Sequence, residues 1–176
     1  MCINDGDTHN SPTEQLEAKY PVLVEKYAIR QDSGGAGRYR GGLGAEMIVQ
    51  ALSPFTVTTR IDRVHCKPWG LEGGGDAAGN GLAVRHKGEW KTDHPNAKIF
   101  NVRLERGDAY KMLSGGGGGF GNPLDRELDL VARDVREGYV SASVAREVYR
   151  VALDEKGRVD PQATAALRSQ QGRATC

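Results

Sequence analysis

The sequence predicts a mainly β fold with helices late in the chain, an α+β arrangement, and three observations carry that reading. Runs rich in Val, Ile and Thr with alternating polarity fill much of residues 21 to 113. Sustained helical spacing of apolar residues begins only after Asn122. Eighteen of the 24 glycines fall in three clusters: 34, 35, 37, 41, 42 and 44; then 70, 73, 74, 75, 79 and 81; then 115 to 119 and 121. There is no β-α-β alternation, so a dinucleotide-binding fold is not indicated.

The elements follow in order. Ser11-Pro-Thr-Glu14 reads as a helix start, with Ser11 as cap, Pro12 at the first position and Glu14 placed for a capping box. That helix ends by Tyr20-Pro21. Strands are expected at about 21–30, 45–52 and 56–62, with Pro54 separating the second from the third. Three more are expected at about 82–87, 97–104 and 108–113, the last two joined at the turn signal Arg106-Gly107-Asp108. Asn122-Pro123 opens a helix running to about Glu137, with Leu128, Val131, Ala132 and Val135 on one face and Gly138 ending it. Ser141 caps a second short helix carrying Val144, Ala145 and Val148, followed by a strand at about 148–153. Residues 154–176 are polar and read as a loose tail with one weak helix over 160–169.

The glycine clusters admit two readings. Glycine-rich stretches serve as flexible linkers. These also carry Tyr39, Leu43, Trp69, Leu71 and Phe120, which a solvated linker does not need. Glycine further allows backbones to approach closely, as at the axis of packed polyproline II chains. The packed reading is preferred, and a side chain at Gly117 is then expected to have nowhere to go.

Composition narrows the function. The 176 residues suit one domain, yet only 38% are hydrophobic and 6% aromatic. So thin a core suggests a subunit completed by a partner. The net charge is +1, from 24 basic and 23 acidic residues, which leaves no footprint for nucleic acid or an anionic membrane. No apolar run nears the ~20 residues that span a bilayer. The N-terminus lacks the pattern of a secretion signal. Cysteines at 2, 66 and 176 make no disulfide framework, which fits a reducing cytosol.

Each chemical candidate has a duller competitor. Gly115 to Gly121 could cradle a phosphate ahead of a helix, but the P-loop spacing and its Lys-Ser/Thr ending are missing, and Asp125 already supplies negative charge there. Cys2, His9, His65 and Cys66, with Asp5 and Asp7 nearby, have residue types that suit zinc, but their spacing is not that of a zinc finger. Cys66 with His65 is a poor nucleophile and base, because neighbours on a strand point to opposite faces. His86 and His94 read as surface residues. Arg38, Arg40, Arg60 and Arg63 could hold a carboxylate or phosphate, but such arginines more often brace glycine loops or interfaces. No catalytic, cofactor-binding or metal-ligating residue is assigned.

The segment Asp32-Ser-Gly-Gly-Ala-Gly-Arg-Tyr-Arg-Gly-Gly-Leu-Gly44 resembles the signature of the hydantoinase B family, which includes subunits of 5-oxoprolinase and of ATP-dependent ketone carboxylases. Asn10 to Glu17 with Tyr20-Pro21, Lys67 to Gly75, and Gly115 to Arg126 resemble further family blocks in the family's order. His65-Cys66 departs from the Arg- and Pro-rich family pattern at that point. The resemblance implies a hydantoinase B-like C-terminal domain over residues 1–153, without the N-terminal part that carries the family's metal ligands. With its own Met1, the chain reads as a split subunit.

Further implications follow from the resemblance. It suggests β-sheets joined to glycine-rich, polyproline II-like segments, completed by partner subunits. The function implied is that of a small non-catalytic subunit in a cytoplasmic, hetero-oligomeric ketone carboxylase of the acetophenone type. An ATP-dependent hydrolase of hydantoins, oxoproline or lactams is the alternative, and a pure assembly scaffold is a third reading. ATP with a divalent metal is expected in hydantoinase A-like partners. The remaining hydantoinase B-like subunit is the other expected partner, with no nucleic acid and no membrane.

Overall fold

The computed structural model describes residues 12–92 and 94–169. Helix α1 (Thr13–Lys19) precedes seven strands: β1 (Val22–Ile29), β2 (Ala45–Ala51), β3 (Phe55–Arg60), β4 (Gly81–His86), β5 (Glu89–Lys91), β6 (Lys98–Leu104) and β7 (Ala109–Leu113). Helices α2 (Leu128–Arg136), α3 (Ala142–Glu147) and α4 (Pro161–Ser169) follow. The fold is therefore mainly β with late helices, and all six expected strands before residue 114 are present within a residue or two of their expected ends. Pro12 precedes α1 instead of occupying its first position, and Ser11, its expected cap, lies outside the described residues.

Five strands form one antiparallel sheet in the order β1-β2-β7-β4-β5, and β3 pairs with β6 in a separate ribbon. Their shared core contains Ala51, Val57, Leu82, Val84, Ala97, Ile99 and Leu104. The alternation that places Val57 inward and its threonine neighbours outward follows from the two-residue period of a strand. Strand β5 was not anticipated. It follows a two-residue turn, Lys87-Gly88, with φ of +50° and +88°. This is the hairpin geometry whose twist matches that of the flanking strands.

The register decides where the glycine clusters lie. Ile29 pairs with Ala45, Glu46 with Leu113, and Gly81 with Leu113. The ends of β1 and β7 and the starts of β2 and β4 therefore meet at one end of the sheet. Segments 30–44, 68–80 and 114–121 all leave or enter there.

The later helices build a second core from Val131, Val140, Ala145, Tyr149 and Val151. The helix expected from Asn122 to Glu137 is divided. A short 3-10 turn over Pro123–Asp125 gives way to extended backbone at Arg126 and Glu127 before α2 begins. Gly138 ends α2 with φ of +73°, and the Ser141 hydroxyl caps α3 by accepting from the Val144 N–H. The strand expected at 148–153 is absent. Arg150 sits at φ +53°, which breaks an extended run, while Tyr149 and Val151 turn into the second core. The helix expected over 160–169 in an otherwise loose tail is present as α4, and residues 154–169 are docked instead of loose. Thr164 is buried and its hydroxyl accepts from the Ala152 N–H, and Val159 packs on the second core.

Asp108 organises the β6–β7 turn and the β4–β5 hairpin together. Its carboxylate accepts from the N–H groups of Lys87 and Glu105, each at 3.0 Å, and lies 3.1 Å from His86 Nδ1. Burial pushes its pKa up, but the Glu105 and Lys87 N–H groups and His86 outweigh this, and the net shift is downward. Its stabilising contribution is thus present above the ordinary carboxylate range, near ~3.9. It is lost as pH falls through the lowered folded value. Asp108→Ala is expected to cost about 1–3 kcal/mol in urea unfolding at pH 7. The variant should also lose part of the acid sensitivity of the parent. Equal stability of the two at pH 7 would remove Asp108 from this role.

Candidate functional site

The three glycine segments interlock at the sheet end, backbone against backbone. Gly35 N–H donates to the Gly117 carbonyl, Gly117 N–H to Gly42, Gly75 N–H to Ala36 and Gly119 N–H to Gly75, at 2.7–3.0 Å. Tyr39 and Phe120 exchange both of their bonds, and Gly121 N–H donates to Leu71. Each segment thus bonds to both others. These are ordered, load-sharing stretches, and the linker reading does not describe them.

Glycine is a steric requirement here. A Cβ at Gly41 would overlap the carbonyl oxygen of Gly117, one at Gly118 that of Trp69, and one at Gly119 that of Ala36. A Cβ at Gly35 would overlap the carbonyl of Gly75, and one at Gly44 that of Ser114. Backbone oxygens cannot swing aside as a flexible side chain can. Gly117 differs from the expectation set for it. A Cβ there would meet only Gly42 N, at 3.4 Å, and Gly41 Cα, at 3.9 Å. The run turns successive residues toward different neighbours, and Gly117 faces outward.

Polar side chains brace this core. Ser33 is fully buried, and its hydroxyl donates to the Arg30 carbonyl at 2.6 Å and accepts from Gly44 N–H at 2.8 Å. Arg30 Nη1 donates to the carbonyls of Gly79 and Ser114. Asn80 accepts from Gly115 N–H and donates to the Asp62 carbonyl. The helices are tied on by Asp134, which is 1% exposed; its Oδ2 lies 2.8 Å from Arg126 Nη2 and 3.0 Å from Arg40 Nε. Arg126 also donates to the Arg38 carbonyl, and Arg40 to its neighbour Gly41. Tyr149 is buried alongside. Burial raises its phenol pKa, against the lowering effects of Arg126 and a hydrogen bond from the Gly37 backbone.

The sequence candidates separate accordingly. Arg40 braces the glycine core, and the Arg38 guanidinium lies 5.6 Å from the Tyr39 ring centre. Arg60 closes the β3–β6 ribbon opposite Lys98, and the Arg63 carbonyl accepts from Asn80 N–H. His86 is held by Asp108. His65 and exposed Cys66 lie on a bend, lining a shallow depression with Asp62, Asn96 and Lys98. Cys2 and His9 lie outside the described residues. Among the described residues, no three His, Cys, Asp or Glu side chains are grouped to hold a metal ion.

A phosphate on residues 115–121 would need free N–H groups. Those of Gly115, Gly117, Gly119, Phe120 and Gly121 already donate to protein oxygens, and Asn122 caps the turn that follows. Arg30, Ser33, Asn80, Arg126 and Asp134 were not singled out from the sequence. For Asp134 a signal existed: a lone carboxylate among Val131, Ala132 and Val135 on the apolar face of α2.

The sequence profile of the Hydantoinase B/oxoprolinase family matches residues 1–123. The chain is 35% identical to the caprolactamase subunit beta of Pseudomonas jessenii, over 93% of this chain and 29% of that protein. It is 32% identical to the acetone carboxylase alpha subunit of Xanthobacter autotrophicus, over 89% of this chain and 25% of that one. The nucleotide-free structure of an acetone carboxylase superposes with a TM-score of 0.80 at 29% identity, covering 93% of this chain and 26% of the other. The ATP-dependent caprolactamase structure superposes with 0.75 at 30% identity, covering 90% and 28%. The chain thus spans between a quarter and three-tenths of the length of these relatives.

Two substitutions test the interlock. Gly118→Val should abolish recovery of soluble, protease-resistant protein, whereas Gly117→Val should be recovered like the parent. Equal recovery of both would show that the backbones are not packed as described. Separately, Asp134→Ala leaves Arg126 and Arg40 without their buried partner and should cost about 3–5 kcal/mol. Urea unfolding of the variant at the parent's stability would refute this.

Proposed function

The chain belongs to the hydantoinase B/oxoprolinase family, and we propose that it is a small, non-catalytic subunit that helps form the hydantoinase B-type module of a hetero-oligomeric, ATP-dependent enzyme. One observation carries this reading. The residues that resemble the family signature spend their N–H groups and their steric freedom on one another, as a scaffold requires. The setting proposed is the cytosol; among the described residues no helix is long and apolar enough to cross a membrane. ATP and its divalent metal are assigned to hydantoinase A-like partner subunits. The remaining hydantoinase B-like polypeptide is the other partner. The glycine segments are assigned a polyproline II-like conformation.

Ketone carboxylation, of the acetophenone type, is the reaction we favour for the assembly, supported by similarity to an acetone carboxylase in both sequence and structure. Opening of an amide ring is the second reading, supported by the 35% identity to the caprolactamase beta subunit. The deciding experiment is to co-purify the chain with its hydantoinase A-like and hydantoinase B-like partners. ATP-dependent fixation of labelled bicarbonate into an aryl ketone is then measured beside ring opening of caprolactam, hydantoin and 5-oxoproline. Bicarbonate fixation is the expected result, and ring opening alone would overturn it. In the same complex, alanine at His65, Cys66, His86 or His94 should each leave at least a tenth of the turnover. A general acid–base group contributes ~100-fold or more, so a loss of that size in an intact complex would contradict the non-catalytic assignment.

A further inference from the structure

The outer surface of the glycine core carries an apolar face that none of the described residues covers. Phe120 is paired in its backbone with Tyr39 on one side and Leu71 on the other, and Trp69 stands two residues before Leu71. The Tyr39 and Phe120 rings lie 6.3 Å apart. Exposure is 60% for Tyr39, 67% for Trp69, 56% for Leu71 and 49% for Phe120. Single exposed apolar residues are ordinary, but a contiguous group of this size marks an interaction surface. The backbone beneath is locked by the interlock, so little conformational entropy is lost on docking. The composition is that of an interface hot spot, two aromatic rings and a tryptophan with Arg38 laid against Tyr39.

Gly42 supplies a second observation. It is exposed, its φ lies outside the left-handed region, and a Cβ on it would meet nothing within 4 Å. Among the described glycines it alone combines an ordinary φ with a Cβ position that meets nothing; Gly75, Gly81 and Gly117 also have an ordinary φ but would make ordinary contacts there. Gly117, which donates to its carbonyl, is exposed too and nearly as open. An exposed glycine with open space at its Cβ position leaves room for another backbone to come close.

We infer that the face of Tyr39, Trp69, Leu71 and Phe120, together with the Gly42–Gly117 edge, is the seat of the remaining hydantoinase B-type polypeptide. This rests on the subunit reading above and names the surface it requires. The occupant follows from length: the relatives carry this fold as 25–29% of one longer chain, so the polypeptide that continues the fold in them must here come from outside residues 12–169. A glycine edge suits a segment that packs main chain to main chain, as the three internal segments do.

The test uses the full chain and the hydantoinase B-type polypeptide from the same cell that lacks the region matched by this chain. Affinity is measured by calorimetry for the parent, for Trp69→Ala with Phe120→Ser, for Gly42→Leu, and for Phe100→Ser on β6 as control. Phe100 is 78% exposed and lies outside the proposed face. Circular dichroism and protease resistance check that each variant keeps the parent fold. The double variant and Gly42→Leu should each bind at least 30-fold more weakly, and Phe100→Ser within threefold of the parent. Folded face variants that bind like the parent would overturn this surface and leave the subunit reading standing. A parent chain that binds no such polypeptide would overturn both. Light scattering supplies the other arm: a dimer of the parent that Trp69→Ala disperses would assign the face to a second copy and reject the proposal.

Discussion

Three stretches of main chain in this protein lie closer together than any side chain permits, and the rest of the structure is arranged to hold them there. The contact is made between N–H groups and carbonyls with no Cβ intervening. Such packing gains little from apolar burial, and ordering glycine loses more backbone entropy than ordering any other residue. The segments cannot supply their own stability. The five-stranded sheet sets where they begin and end, and the helices close over them.

Asp134 is the joint between those two supports. It belongs to a helix, yet its carboxylate reaches Arg126 just before that helix and Arg40 inside the first glycine segment. Arg126 passes the connection on to the Arg38 carbonyl. A buried ion pair of this kind contributes modestly against an apolar replacement, because desolvation offsets the attraction. What it adds is specificity of position. The helical core docks in an arrangement that brings the Asp134 carboxylate against both guanidinium groups. Arg126 itself lies in the extended backbone that interrupts the helical run after Asp125.

The strands were legible because Val, Ile and Thr alternate with polar residues in register with the pleat, as around Val57. The helices were legible from Ser141 and Gly138, whose capping roles are local. Where the reading failed, tertiary packing had overridden a local pattern. Residues 148–153 contain Val148, Tyr149 and Val151, types that favour strands, but Tyr149 and Val151 are drawn into a helical core. The glycine clusters announced close packing, yet the positions that tolerate no side chain could not be told from those that do. Gly117 and Gly118 are each flanked by glycine on both sides, yet opposite in surroundings. Nor could the braces be found, since Ser33, Asn80 and Arg30 act on carbonyls 3 to 84 residues away.

The meeting of four strand termini at one end of the sheet governs the order in which this chain can fold. Contacts among the glycine segments span from 39 residues of sequence (Ala36 to Gly75) to 83 (Arg38 to Gly121), and closing such loops precedes any return from the contacts they bring together. Glycine has no local propensity to start the process. The β1–β2 and β4–β7 ladders, once paired, hold the ends of the segments beside one another. A two-residue slip of β7 against β2 would preserve the inside–outside alternation of the sheet and satisfy its ladder hydrogen bonds. It would also bring Gly116 where Gly118 belongs and leave Phe120 without Tyr39. Glycine throughout 115–119 would accept the slipped register sterically, so the check on alignment is Phe120, whose backbone pairing with Tyr39 and Leu71 only the native register provides.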